Sequence, residues 1–156
     1  MQKRVINKLI VHVTDSPDTR NVSMLDISKW HQEMNCPKSS SGLYCGYHYV
    51  IKRDGTVEVA RPDFEMGAHT KGQNKNSLGI CWVGRNEMAN VQMTALIQLC
   101  ANLCVRYGLE AKQVFGHREF NNAKSCPNIA SLDGLRDSIE LKIAEMGGLV
   151  GTGSNR

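Results

Sequence analysis

Along the chain the spacing of apolar and polar positions changes period several times, and each change marks an element. Lys8 to Thr14 (KLIVHVT) is a near-continuous apolar and β-branched run that breaks at the turn-rich DSPDT, so it reads as a buried strand. Ser23 with Asp26 three positions later opens a helix. Ile27, Trp30 and Met34 then recur at helical spacing, which predicts a helix over Ser23–Met34. Asn35 to Gly46 carries Pro37, three serines and Gly42 and reads as a loop. YHYVIKRDGTVEVAR places two β-rich runs on either side of Asp54-Gly55, a hairpin signal. Alternation on its first strand puts Tyr47 and Tyr49 on one face and His48 and Val50 on the other.

Pro62 to Ser77 has no period and reads as a loop, while Leu78–Val83 (LGICWV) is a continuous apolar strand. Val91–Tyr107 has the clearest helical stripe, through Leu96, Leu99, Cys100, Leu103, Cys104 and Tyr107, with Gly108 as its stop. Gln113–Phe115 is a short strand, and Leu132–Met146 is an amphipathic helix through Leu135, Ile139 and Ile143. The order strand, helix, hairpin, strand, helix, strand, helix predicts an α/β fold, a single domain whose central mixed sheet is flanked by about three helices. The domain is expected over 1–146, followed by a flexible tail, 147–156 (GGLVGTGSNR).

Composition changes this picture little. A chain of 156 residues with 41% apolar and 22% charged residues suits one globular domain with a real core. The formal net charge of +4 favours approach to polyanions, though a solvated surface is the more ordinary reading of it. No apolar run reaches membrane-spanning length. The start MQKRVINKLIVHVT reads as a first strand and not a secretion signal, so the six cysteines are expected to stay reduced. Cys100 and Cys104 share a helix face and read as core, while Cys36 and Cys45 flank a Ser/Gly loop and leave a pairing open under oxidising conditions.

The candidate chemistry concentrates in VFGHREFNNAKSCP, which offers an imidazole at His117, an ammonium at Lys124 and a thiol at Cys126. Imidazole and thiolate are zinc ligands, and His12 in the first strand would complete a set of three with the fourth position left for water. On spacing alone, a hydrogen-bonded core histidine and a small buried thiol are the more ordinary readings. Tyr47 fits equally a site or a core edge. His69 is the titratable group of a Gly-punctuated loop that fits either a ligand or open surface. His31, beside Trp30, reads as a surface or helix-cap histidine.

Six segments taken together carry more. IVHVT, WHQE, GYHYVIKRDGTVE, GAHTKGQNKNSLGICWVG, GHRE and KSCP occur in this order over nearly the whole chain. They resemble the zinc-dependent N-acetylmuramoyl-L-alanine amidases of the type 2 amidase and peptidoglycan-recognition-protein superfamily, and among these the short phage endolysins of the podovirus kind. The resemblance implies one zinc ion per chain on His12, His117 and Cys126. It gives Tyr47 and Lys124 catalytic roles and His69 a place against substrate on the cleft wall. It implies hydrolysis, by a zinc-activated water, of the amide between N-acetylmuramic acid and L-alanine in peptidoglycan, for host lysis. The loop NCPKSSSGLYC departs from the family pattern in length.

The same resemblance implies a monomer made in the host cytoplasm that reaches the wall once the membrane is permeabilised, with no direct nucleic-acid or membrane partner. A second role, binding and inhibiting the phage RNA polymerase, follows from it as well. The rival readings are a peptidoglycan-binding module without catalysis and a cytosolic amidase that recycles muropeptides. The thiol at Cys126 argues against the first, because non-catalytic relatives typically lack it.

Overall fold

Five strands form one mixed sheet in the order β3-β2-β4-β1-β5. They are β1 (Lys8–Val13), β2 (Tyr49–Ile51), β3 (Val57–Val59), β4 (Ser77–Trp82) and β5 (Val114–Gly116). The helices are α1 (Met24–Glu33), α2 (Asn90–Tyr107) and α3 (Leu132–Ser154). The computed structural model describes residues 4–154, with side chains through Gly147. The helix assignment of α3 runs past Met146, and most of the tail expected over 147–156 lies outside the residues whose side chains are described.

The central strand β1 is parallel to β4 on one side and to β5 on the other; β2 is parallel to β4, and only β3 runs antiparallel. Strand alternation then sorts β1 and β4 onto two faces. Leu9, Val11 and Val13 of β1 and Leu78, Ile80 and Trp82 of β4 pack against Leu96, Cys100 and Leu103 of α2 and Leu135 and Ile139 of α3. Each fully buried aliphatic side chain here contributes roughly 1.5–3 kcal/mol of transfer free energy. The opposite face carries His12 and Cys81, which are register partners. On that face a smaller cluster gathers Val22, Ile27, Cys45, Val50, Ala60 and Val83 under α1.

Local chemistry accounts for the element ends. Ser23 caps α1, its hydroxyl accepting from Leu25 N–H while Asp26 reaches back to Ser23 N–H. Gly108 ends α2 in the left-handed region at φ 67°. In the hairpin, Gly55 N–H donates to Lys52 O and Gly55 sits at φ 88°, a conformation glycine takes without strain.

Two expectations are corrected. Met34 is 69% exposed, because it caps α1 instead of continuing its buried stripe. Tyr47 and Tyr49 do not share a face: Tyr49 belongs to the α2/α3 core, whereas Tyr47 packs with the cluster under α1. The reason is that β2 begins only at Tyr49. Just before it, the His48 carbonyl accepts from both Ala60 N–H and Arg61 N–H, so two residues of the partner segment oppose one and regular pairing stops short of Tyr47. All six cysteines are free thiols, Cys36 and Cys45 included, and Cys100 and Cys104 are buried as expected. Among the described residues no helix is long and apolar enough to cross a membrane.

Candidate active site

Parallel pairing brings the two sequence-distant histidines together. Val11 pairs with Gly116, so the chain leaving β5 delivers His117 beside His12 of the neighbouring strand, with ring centroids 4.7 Å apart. The segment that follows folds back on itself. Arg118 N–H donates to Cys126 O at 2.8 Å, which closes the loop between His117 and Cys126. Trp82 Nε1–H donates to Pro127 O at 2.8 Å and fastens the next residue to the sheet. Glu119 accepts from Gly116 N–H and from Arg136 of α3, holding the GHRE turn against the helix.

The result is one cluster of metal-ligating atoms, on His12, His117 and Cys126, all within 4.8 Å of one another. His12 Nδ1 lies 3.8 Å from Cys126 Sγ. A nitrogen and a sulfur sharing one tetrahedral zinc sit about 3.6 Å apart, given bonds of roughly 2.0–2.3 Å. The donor set and its spacing therefore fit a zinc ion. Three protein donors leave the fourth direction open to the cleft, the arrangement of catalytic sites.

The electrostatics suit neutral imidazoles. Burial, reinforced by His117 and His31 nearby, pushes His12 well below the usual histidine pKa. Burial and then the Lys124 ammonium lower His117. Burial pushes the Cys126 thiol up to about 11, although Val13 N–H, donating to Sγ at 3.3 Å, and Lys124 both favour the thiolate. A cation arriving at Sγ would have to displace that proton, so metal binding here releases acid.

The cleft around this cluster has a volume of about 310 Å³. Lys124 stands exposed at its edge, Tyr47 forms part of its wall, and His69 lies at the inner side, half-buried. The Tyr47 ring is 5.1 Å from His12 and 5.2 Å from His31, centroid to centroid. Burial raises the Tyr47 pKa well above that of an exposed phenol, so at neutral pH the hydroxyl keeps its proton and can donate it. All six residues singled out in the sequence thus border one cleft.

His31 was missed. Far from being a surface or cap residue, it lines the cleft, and its Nδ1 accepts from Gly46 N–H at 2.8 Å. A neutral ring accepting at Nδ1 carries its proton on Nε2, so His31 brings a second N–H donor to the cleft region. A signal existed in hindsight: the chain has five histidines, and four of them line this cleft. The fifth, His48, stacks edge-on to His69 with centroids 5.9 Å apart.

The loop bearing His69 is held from outside. The Tyr49 and Tyr107 hydroxyls both donate to the Asp63 carboxylate. The Arg4 guanidinium donates to the carbonyls of Asn74, Lys75 and Ser77. Asn74 Oδ1 in turn accepts from the backbone N–H groups of His69 and Thr70, at 2.9 Å each. These contacts turn a segment without any sequence period into a fixed wall.

Comparison with known proteins shows the family and the fold. A family model described as N-acetylmuramoyl-L-alanine amidase matches residues 2–129. The endolysin of Escherichia phage T7 is 33% identical over 135 residues, which cover 81% of this chain and 83% of that protein. The endolysin of Enterobacteria phage T3 is 34% identical, over 77% of this chain and 79% of its own. Among solved structures, the N-acetylmuramoyl-L-alanine amidase LysC from Clostridium intestinale superposes with a TM-score of 0.73 at 25% identity, over 86% of this chain and 85% of its own. Drosophila PGRP-LB shares the fold, with a TM-score of 0.65 at 24% identity over 80% of this chain and 76% of its own.

Proposed function

This chain belongs to the N-acetylmuramoyl-L-alanine amidase family and hydrolyses the amide between N-acetylmuramic acid and L-alanine in peptidoglycan as a phage cell-wall hydrolase, and we propose that it does so with one zinc ion held by His12, His117 and Cys126. The observation that carries the zinc assignment is the convergence of two imidazoles and one thiol within 4.8 Å, in a cleft that Tyr47 and Lys124 also border. Bound there, zinc would supply Lewis acidity to the scissile carbonyl and lower the pKa of an attacking water to about 7.

The remaining work falls to the chain's own groups. Lys124, beside His117 and Cys126, holds an ammonium where negative charge develops on the carbonyl oxygen. Tyr47 keeps its hydroxyl proton at neutral pH and offers it as a hydrogen bond to the tetrahedral oxygen or to the leaving amine. His31, with its proton on Nε2, offers a further donor for the glycan or peptide carbonyls flanking the scissile bond. The exposed Met34 gives the same wall an apolar patch for the lactyl or alanyl methyl group.

Digestion of purified sacculi tests this reading. The expected products are new L-alanine amino termini without new reducing sugars, lost on chelation and restored by zinc. New reducing ends would mean glycosidase chemistry and would defeat it. The protein's place of action, the wall after synthesis in the host cytoplasm and membrane permeabilisation, is part of the same proposal. So is the phage RNA polymerase as a second partner, with a pull-down against the cognate polymerase as its test.

A further inference from the structure

The proposed zinc site requires His12 to present a bare Nδ1 toward Cys126, and nothing in an isolated imidazole guarantees that. The two tautomers of a neutral histidine are close in energy, and the hydrogen bond at the far nitrogen selects between them. Here the far nitrogen, His12 Nε2, lies 2.9 Å from His69 Nδ1 and 3.1 Å from the Thr70 hydroxyl oxygen. Thr70 cannot choose, because a hydroxyl both donates and accepts. The choice rests with His69.

The state of His69 is fixed at its other end. Ser77 Oγ donates its proton to Gln73 O at 2.8 Å. Its lone pairs are then what it offers to His69 Nε2, 3.4 Å away, so that nitrogen carries the proton. His69 Nδ1 is left as an acceptor, 2.9 Å from both His12 Nε2 and the Thr70 hydroxyl; a bare His12 Nε2 would set two lone pairs against each other there, so His12 Nε2 carries its proton. His12 Nδ1 is thereby bare on the side facing Cys126 Sγ.

The chain also clears space for this ring. A Cβ at Gly79 would lie 2.6 Å from His69 Cδ2, and one at Gly67 would lie 2.7 Å from the same atom. Any side chain at either glycine would collide with the His69 ring, so both positions keep its place clear. Asn74 Oδ1 holds the His69 backbone N–H, and the ring nitrogens are held by His12, Thr70 and Ser77. We propose that His69 is a positioning residue that locks His12 as the Nε2–H tautomer and so sets its Nδ1 as the metal-binding atom. This rests on the zinc site proposed above and gives His69 a role other than substrate contact.

The test compares His69→Leu with His69→Asn. Asparagine places Oδ1 where Nδ1 was and keeps the acceptor, whereas leucine has the same branching and no acceptor. Nitrogen-15 chemical shifts of His12 in metal-free protein read the tautomer directly. Wild type and His69→Asn are expected to show a single Nε2–H form, and His69→Leu a mixture. Zinc affinity, measured by chelator competition, is expected to fall about 10- to 100-fold in His69→Leu and to be largely restored in His69→Asn.

His69→Leu with wild-type zinc affinity and an unchanged His12 tautomer would overturn the proposal. So would a defect confined to KM for wall fragments, which would make His69 a substrate contact. If wild-type protein took up no zinc, the metal assignment would fall. The tautomer measurement, made without metal, would still decide what His69 does.

Discussion

His12 Nδ1 and Cys126 Sγ lie 3.8 Å apart although 114 positions of chain separate them. Two backbone contacts enforce that meeting: the β1–β5 pairing that delivers His117, and the Val13 N–H that donates to Sγ itself. The thiol is therefore held by the sheet and not by its own loop alone. Cys126→Ser should keep the fold, since Val13 N–H can donate to a hydroxyl oxygen as well. It should lose zinc and turnover together, because serine's alkoxide is inaccessible at neutral pH. Zinc content by atomic emission and sacculus digestion on the same preparation check this. Full activity in verified metal-free Cys126→Ser protein would remove the metal from the mechanism.

Lys124 separates electrostatic catalysis from structure. It is exposed and donates no side-chain hydrogen bond within the chain among the described residues. Lys124→Ala should leave the melting temperature and zinc content unchanged. Turnover should fall roughly 100- to 1000-fold, the usual cost of about 3–4 kcal/mol for removing one oxyanion donor. Lys124→Arg should recover part of it. A loss in KM with kcat intact would instead make Lys124 a substrate anchor.

Tyr47→Phe removes one hydroxyl and leaves the ring between His12 and His31 in place. The expected outcome is native zinc affinity, native stability within about 1 kcal/mol and a large fall in kcat. Because burial keeps the phenol protonated, wild-type activity should show no loss on the alkaline side that traces to Tyr47 below the ordinary tyrosine range. A pH profile of kcat for the two proteins, side by side, reads this.

The fold was legible where a single local rule governs an element. The Ser23–Asp26 box, the Gly108 stop, the apolar runs of β1 and β4 and the stripe of α2 all appear where the sequence predicts them. The convergence of His12, His117 and Cys126 was expected too, but mostly by resemblance, since their spacing is set by strand order and not by any local repeat. Tyr47 and His31 were less so. Alternation failed at Tyr47 because β2 begins only at Tyr49, which leaves Tyr47 two residues outside the regular pairing. His31 sits on a helix whose N-terminal cap was easy to read, but its cleft position comes from Gly46 N–H, which no periodicity encodes. The space for the His69 ring depends on Gly67 and Gly79, which stand in the sequence only as one glycine of a loop and one within a continuous apolar strand.

His48 makes acid stability testable apart from the metal. The ring is fully buried, its Nδ1 accepts from Gly79 N–H at 3.0 Å and its Nε2 donates to Glu65 O at 2.7 Å. Protonation would set two donors against each other at Nδ1, and the Arg4 guanidinium lies 3.1 Å from Nε2. Burial, with Arg4 adding to it, pushes the folded-state pKa from 6.5 down to about 4. Between those values the unfolded chain binds the proton and the folded chain does not. The His48 contribution is therefore complete above pH 6.5 and is lost as pH falls toward 4.

At about 1.4 kcal/mol per pH unit, that contribution is roughly 3 kcal/mol. Urea unfolding at pH 7.5 and pH 4.5 should show it. His48→Asn keeps an acceptor for Gly79 N–H but gives up the bond to Glu65 O, so it should be less stable than wild type at pH 7.5. It should lose less on acidification, because one proton-binding site of the unfolded chain is gone. Equal acid losses in the two proteins would assign the pH dependence to other groups and leave His48 a neutral spacer.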